Sequence, residues 1–206
     1  MKRLTLETRR LILVAATEDL AAAELRDRAR FAALLGARVH ASWPPPSNDE
    51  GSMAFLFSIV AGKPGVVGFA HWYWLLRTET ADGIPIAIGN GGFLGPPTSD
   101  GTVEVGYSVV EAFQRRGLAT EAVAALIEWV FRDARVARVI AHAHSEPRAS
   151  RRVLAKLAFA RRGESAERGT IRFVLTREAW GAARGGAQGA APVGAPPGRP
   201  RRPRGR

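Results

Sequence analysis

The sequence predicts an α/β (α+β) fold on a single domain, and three observations carry that reading. At 206 residues the chain is long enough for one domain of ordinary size with a full hydrophobic core. Val103, Val105, Tyr107 and Val109 alternate with Glu104, Gly106 and Ser108, the period-2 pattern of a strand whose faces see different surroundings. The chain then passes through a glycine-centred turn into Leu118, Ala122, Val123, Leu126, Ile127 and Val130, one apolar stripe of a helix. Residues 138–143 supply a short apolar strand after it, so strand, helix and strand form a crossover with parallel strands.

The remaining elements follow in order. Residues 4–14 read as a first strand, either continuous or interrupted at Glu7-Thr8-Arg9-Arg10, with Leu11, Ile12, Leu13 and Val14 as its buried part. Thr17 can cap a helix whose first turn carries Glu18 and Asp19, where the dipole favours acids, and a second helical piece ends near Gly36. Residues 43–51, with three consecutive prolines, read as a loop. Residues 55–60 and 66–76 are expected as strands joined in a hairpin through Gly62-Lys63-Pro64-Gly65. Residues 84–88 are expected as a further strand, broken from the next by Gly89-Asn90-Gly91-Gly92. Ser150 can cap a helix that faces Val153, Leu154 and Leu157 inward, and residues 171–175 supply a last strand. From residue 181 on, twelve of twenty-six residues are Gly or Pro and none is aromatic. The reading therefore divides the chain into a folded body, 1–180, and a disordered tail, 181–206.

Thirty Lys and Arg against nineteen Asp and Glu give a net charge of +11. Six of the arginines lie in 181–206, and what remains is modest for a nucleic-acid-binding domain but suits anionic ligands in general. The tail could serve as a basic arm on nucleic acid or ribosome, yet a compositional extension is the preferred reading. The absence of cysteine removes disulfides, thiolate zinc sites and a cysteine nucleophile together. Neither a secretory segment nor a membrane span can be drawn, which leaves the cytoplasm as the expected location.

The turn between strand and helix is built for an anion. At Gln114-Arg115-Arg116-Gly117-Leu118-Ala119 the first helical N–H groups lack carbonyl partners, the helix dipole is positive, and two guanidinium groups flank a glycine that allows close backbone approach. The spacing is that of neither a Walker loop nor a dinucleotide fingerprint.

Those six residues resemble the Q/R-x-x-G-x-G/A signature of the GNAT superfamily of N-acetyltransferases. Three further segments in family order, Ile88-Gly89-Asn90-Gly91-Gly92-Phe93, Gly101-Thr102-Val103-Glu104-Val105-Gly106-Tyr107 and Ala149-Ser150-Arg151-Arg152-Val153-Leu154, resemble the branch that includes the ribosomal-protein-alanine N-acetyltransferases. The resemblance spans roughly residues 5–178. It implies a mixed, strongly twisted sheet of about six or seven strands with helices on both faces. It also implies acetyl-CoA as cosubstrate, bound where the strand at 103–110 splays from that at 138–143. Tyr107, Ser108, Val109 and Val110 would meet the pantetheine arm, and Arg115, Arg116, Gly117, Leu118, Ala119 and Thr120 the pyrophosphate. The acceptor would be a primary amine of a small molecule or a protein N-terminus, and a homodimer is admitted. A CoA-binding regulatory or scaffold module without catalysis is the alternative.

Attack of an amine on a thioester needs a proton acceptor, donors for the developing oxyanion, and a donor near the leaving thiolate. The resemblance puts Glu104 in the first role, provided burial raises a pKa that is ordinarily about 4.3; a salt-bridged strand carboxylate is the other reading. A backbone N–H near Tyr107 or Ser108 is implied for the oxyanion. Ser150 matches the family serine that reaches the sulfur, with a helix cap as the alternative. The sequence departs from the family at Pro147, where Asn is usual, and Pro offers neither amide nor N–H. His142 and His144 share a strand face but have no third ligand at a recognisable spacing, so no metal is expected. Trp72, Tyr73 and Trp74 could line an acceptor pocket, although aromatic strand residues more often form core.

Overall fold

The computed structural model describes residues 3–46, 48–78, 82–144, 149–164 and 169–188. Among them nine strands form one sheet: β1 (Thr5–Glu7), β2 (Leu11–Ala15), β3 (Arg38–Val39), β4 (His71–Leu76), β5 (Ile86–Phe93), β6 (Thr102–Val109), β7 (Arg138–His144), β8 (Ala160–Glu164) and β9 (Thr170–Thr176). Six helices accompany it: α1 (Glu18–Arg26), α2 (Arg28–Leu35), α3 (Glu50–Val60), α4 (Leu118–Val130), α5 (Ala149–Lys156) and α6 (Arg177–Gln188). The strand order is β1-β2-β4-β5-β6-β7-β9-β8, with β3 beside β5. The β3–β5 and β6–β7 pairs are parallel and the others antiparallel, which makes the sheet mixed as expected. Two strands that the sequence did not announce, β3 and β8, take the count beyond six or seven. β3 is two residues long, and β8 reads ARRGE and is exposed throughout, so neither carries an apolar period.

Helices cover both faces. On one, Leu118, Val123, Ile127 and Val130 of α4 and Leu154 of α5 pack on Trp72, Trp74, Val103 and Val105. On the other, Leu20 and Ala23 of α1 and Phe31 and Leu35 of α2 pack on Val14, Tyr73, Leu75 and Ala87. Caps set the early helices where the sequence placed them. Thr17 accepts from the Leu20 N–H, Asp27 accepts from that of Arg30, and Gly36 closes α2 in the left-handed region at φ 65°.

Several expectations are corrected. Residues 55–60 are helical, within α3, because Asp49 caps the segment by accepting from the Ser52 N–H at 2.8 Å; a short apolar run cannot separate strand from helix by period alone. The anticipated hairpin at 62–65 is instead a 3-10 turn at Pro64–Val66, and the strand begins only at His71. Residues 4–14 take the interrupted form, two antiparallel strands joined through residues 8–10. Folded chain also continues past residue 180: Trp180 of α6 packs on the main core and Arg184 pairs with Glu128. Residues 189–206, and Pro147, lie outside the described residues.

The glycine run of β5 is the instructive exception to its own sequence. Gly89-Asn90-Gly91-Gly92 continues the strand instead of breaking it. A Cβ on Gly91 would come within 2.5 Å of Tyr107 Cβ and 2.6 Å of the Trp74 ring. The missing side chains make room for Trp74, which stacks on Tyr107 with centroids 6.3 Å apart.

Candidate functional site

The site begins where two parallel strands part. β6 pairs with β7 only over Thr102–Glu104, after which β6 stays with β5 and β7 stays with β9 to its end. From Val105 on, the β7-facing side of β6 has no strand partner among the described residues. Its outward N–H and C=O groups are free to pair with an extended, amide-bearing ligand.

One end of this gap is closed by the turn into α4. Gln114 donates to the Val109 carbonyl at 2.9 Å, fixing the turn to the end of β6. Arg115 takes φ 59° and Gly117 φ 76°; a left-handed Arg is uncommon and costs about 1 kcal/mol or more. Gly117 is the N-cap of α4 and offers no side chain to its first turn, so the N–H groups of Leu118, Ala119 and Thr120 are left for a ligand. Glu121 ties this turn to the β1–β2 hairpin. It accepts from Thr8 Oγ1 at 2.7 Å, from the Arg10 N–H at 2.8 Å and from Arg10 Nε at 2.7 Å, and Arg10 also donates to the Arg116 carbonyl. Burial opposes its ionisation, but these hydrogen bonds and the guanidinium hold the Glu121 carboxyl below its ordinary value.

A cavity of about 520 Å³ fills the gap. Eight of the residues that the sequence assigned to CoA line it: Tyr107, Ser108, Val109, Arg115, Gly117, Leu118, Ala119 and Thr120. Two do not. Val110 is fully buried in the core of the opposite face, and the Arg116 guanidinium lies over the Phe113 ring at 5.7 Å. Arg152 and Lys156, a helical turn apart on α5, line the wall together with Arg115. Their i, i+4 spacing was a readable signal that the sequence reading passed over. Three cations face the cavity, and no carboxylate belongs to its lining.

Ser150 also lines this cavity. It is the second residue of α5 rather than its cap, and its hydroxyl lies 2.9 Å from that of Tyr107. Burial pushes the Tyr107 phenol up to about 12, partly offset by the Ser150 hydrogen bond, so it remains a protonated donor at neutral pH.

A second cavity, also about 520 Å³, lies on the α1–α3 side and is lined by Asn48, Ser52 and Phe55, by His71, by Asn90 to Leu94, and by Gly106, Tyr107 and Ser108. Tyr107 and Ser108 line both cavities, so the two meet at the middle of β6. Above the junction the proline loop is held by a hydrogen bond from Ser108 Oγ to the Pro46 carbonyl. Trp72, Tyr73 and Trp74 are fully buried core, and none of them lines either cavity.

Glu104 lines neither cavity. Its carboxylate is 2.9 Å from His142 Nδ1, and the two side chains are 34 % and 28 % exposed. His142 is thus a carboxylate partner, and among the described residues no group of three acidic or histidine side chains could hold a metal. No helix among them is long and apolar enough to cross a membrane.

A cleft with a cationic, amide-rich groove on one side, a polar-floored pocket on the other and an unpaired strand edge between them has the form of a two-substrate transferase site. The chain belongs to the GNAT acetyltransferase family, whose domain model matches residues 10–160, and it is an acetyltransferase enzyme. It is 29 % identical over 162 residues to the uncharacterized N-acetyltransferase YjdG of Bacillus subtilis (strain 168), covering 79 % of this chain and 93 % of that protein. The fold is similar to a GCN5-related N-acetyltransferase from Brucella melitensis, with TM-score 0.56, 18 % identity, and 93 % and 87 % of the two chains covered. It is likewise similar to a ribosomal-protein-S5-alanine acetyltransferase from Vibrio fischeri, with TM-score 0.55, 17 % identity, and 86 % and 98 % covered.

Proposed function

We propose that the protein moves an acetyl group from acetyl-CoA to a primary amine, carried by a small molecule or a protein N-terminus, by direct transfer in a ternary complex. The observation that carries this reading is the meeting of the two cavities at Tyr107 and Ser108. The residues of the gap fit the donor. Arg115, Arg152 and Lys156 would hold its phosphates, the α4 N–H groups its pyrophosphate, and the open edge of β6 its amide-bearing arm. Acetyl-CoA supplies a thioester that an amine can attack, with a thiol as leaving group.

The chain's own groups do the rest. A β6 backbone N–H near Tyr107 or Ser108 can donate to the acyl oxygen, and the Tyr107–Ser150 hydroxyl pair can donate toward the sulfur. The chain has no cysteine. Ser108 gives its proton to a carbonyl and Ser150 pairs with Tyr107, so neither serine is activated as a nucleophile. Residues of the proline loop and α3 wall the acceptor side.

Release of CoA thiol across a panel of primary amines tests the reading. Amine-dependent release with acetylated product is the expected result. Acetyl-CoA binding without turnover of any amine would contradict it and describe a CoA-binding regulatory or scaffold module instead.

A further inference from the structure

The acceptor-side cavity has a floor made of polar atoms that lack partners. His71 and Asn90 are 2 % and 3 % exposed, and both line the cavity. Asn48 Nδ2, His71 Nδ1 and Asn90 Nδ2, all of residues that line the cavity, are buried with no hydrogen-bond partner among the described residues. Buried polar groups are ordinarily satisfied, and three left open around one cavity mark a place for a ligand's own polar atoms.

Behind His71 runs a connected chain. Its Nε2 is 3.0 Å from the Tyr73 hydroxyl, Tyr73 donates to Glu24 Oε2 at 2.7 Å, and Trp43 Nε1 donates to Glu24 Oε1 at 3.1 Å. A phenol has one proton, and here Glu24 takes it. The Tyr73 oxygen can then only accept from His71, which fixes the proton on Nε2 and leaves the Nδ1 lone pair bare.

We propose that His71 Nδ1 accepts the proton of the acceptor amine and that Tyr73 and Glu24 pass it away from the cavity. The proposal rests on the acetyl-transfer reading above. In the step, the amine nitrogen forms its bond to the acyl carbon as the carbon–sulfur bond breaks, and its proton moves to Nδ1. The Nε2 proton moves to the Tyr73 oxygen, and the Tyr73 proton moves to Glu24. Only the carboxyl ends protonated.

The magnitudes require the whole chain rather than the imidazole alone. Burial pushes His71 down to about 4, too weak a base to keep a proton. Burial pushes Glu24 up to about 7, against the hydrogen bonds from Tyr73 and Trp43, which matches a proton store at neutral pH. The groups facing the chain are few. From α1 comes Glu24, from β5 the uncharged Asn90, from β6 Ser108, and from α3 and the residues before it Asn48, Ser52, Phe55 and Leu56, while the Tyr107 phenol pairs with Ser150 on the other face of the sheet. No carboxylate lines the cavity, so nothing there stabilises an ammonium. The floor therefore suits an amine of low basicity, such as an α-amine near pKa 7.7–8.0 rather than a lysine near about 10.4, with an adjacent oxygen for Asn90 Nδ2.

Four variants of the full chain test this: His71→Gln, Tyr73→Phe, Glu24→Gln and Glu104→Gln. Acetyl-CoA affinity by calorimetry should be unchanged in all four, which also reports that they fold. His71→Gln should lower kcat by about 10²-fold or more. Tyr73→Phe and Glu24→Gln should lower it by a comparable factor, since either leaves the imidazole alone, and Glu24→Gln should erase the rise of kcat with pH through about 7; wild-type kcat in both would overturn the relay. Glu104→Gln should keep kcat. Wild-type kcat in His71→Gln, or a comparable loss in Glu104→Gln alone, overturns the relay and leaves acetyl transfer standing. Acetyl-CoA binding with no turnover in the wild type overturns both. Should His71→Gln fail to fold, the imidazole nitrogen resonances of wild-type His71 decide: an Nε2–H tautomer is expected, and an Nδ1–H tautomer overturns the proposal.

Discussion

The two halves of the cleft are built in opposite ways. The donor side is a continuous piece of chain, in which strand, turn and helix N-terminus follow one another from β6 through Gly117 into α4. The acceptor side is assembled from α1, α3, β4, β5 and β6, and its polar floor joins residues 24, 71, 73 and 90. A backbone-made site announces itself as a motif, because local conformation dictates the residue types. A site made of side chains from distant elements exists only after the sheet has set its register, here Tyr73 opposite Asn90 and His71 opposite Gly92.

The largest expected effect separates the two faces of the glycine-rich centre. Gly91→Val drives a side chain into Trp74 and Tyr107, and overpacking of this kind costs about 3 kcal/mol or more; chemical denaturation would read it. At Gly106 a Cβ meets nothing within 4 Å. Gly106→Val should therefore fold normally, raise the acceptor KM by crowding that cavity, and leave acetyl-CoA affinity unchanged.

Next come the opposed titrations of the acceptor floor. Glu24 has its pKa raised from 4.5 to about 7, so the folded state binds its proton more tightly and this stabilisation is lost as pH rises between those values. His71 has its pKa lowered from 6.5 to about 4, so its contribution is lost as pH falls across that window. Each is worth about 3 kcal/mol by linkage, and in the wild type they largely cancel. Glu24→Gln should lose stability as pH drops from 6.5 to about 4, and His71→Gln should gain stability toward acid. Urea melts at a series of pH values would show the two opposite slopes.

Smaller effects belong to the donor side. Ser150→Ala removes the side-chain partner of the Tyr107 hydroxyl and leaves the Ser150 carbonyl, with an expected stability loss of about 1 kcal/mol and a lower kcat at unchanged acetyl-CoA affinity. Smallest of all, Glu104→Gln breaks a pair with both side chains about a third exposed, worth less than about 1 kcal/mol.

The contrast also explains what could be read in advance. The β6–α4 unit, the parallel β7 and the clustering of eight of the ten assigned residues around one cavity were legible, since each depends largely on neighbours in sequence. Arg116 lies over the Phe113 ring instead of lining the cavity, a placement that the sequence spacing does not specify. α3 was misread because Met53, Phe55, Phe57 and Ile59 look like strand residues until Asp49 caps them. The glycines of β5 looked like a break because the ring that occupies their space, Trp74, comes from the neighbouring strand. His71 and Glu24 carried no sequence signal at all. One lies among strand aromatics and the other on a short helix, and only burial and register bring them into one chain.

Calorimetric titration with acetyl-CoA of the wild type and Gly117→Val tests the central claim most directly. Gly117 sits at φ 76° at the mouth of the donor cavity, where a β-branched residue is strained and blocks the approach to the α4 N–H groups. The account predicts saturable one-site binding to the wild type that the substitution abolishes or weakens severely. No binding to the wild type, or equal binding to both, would contradict it.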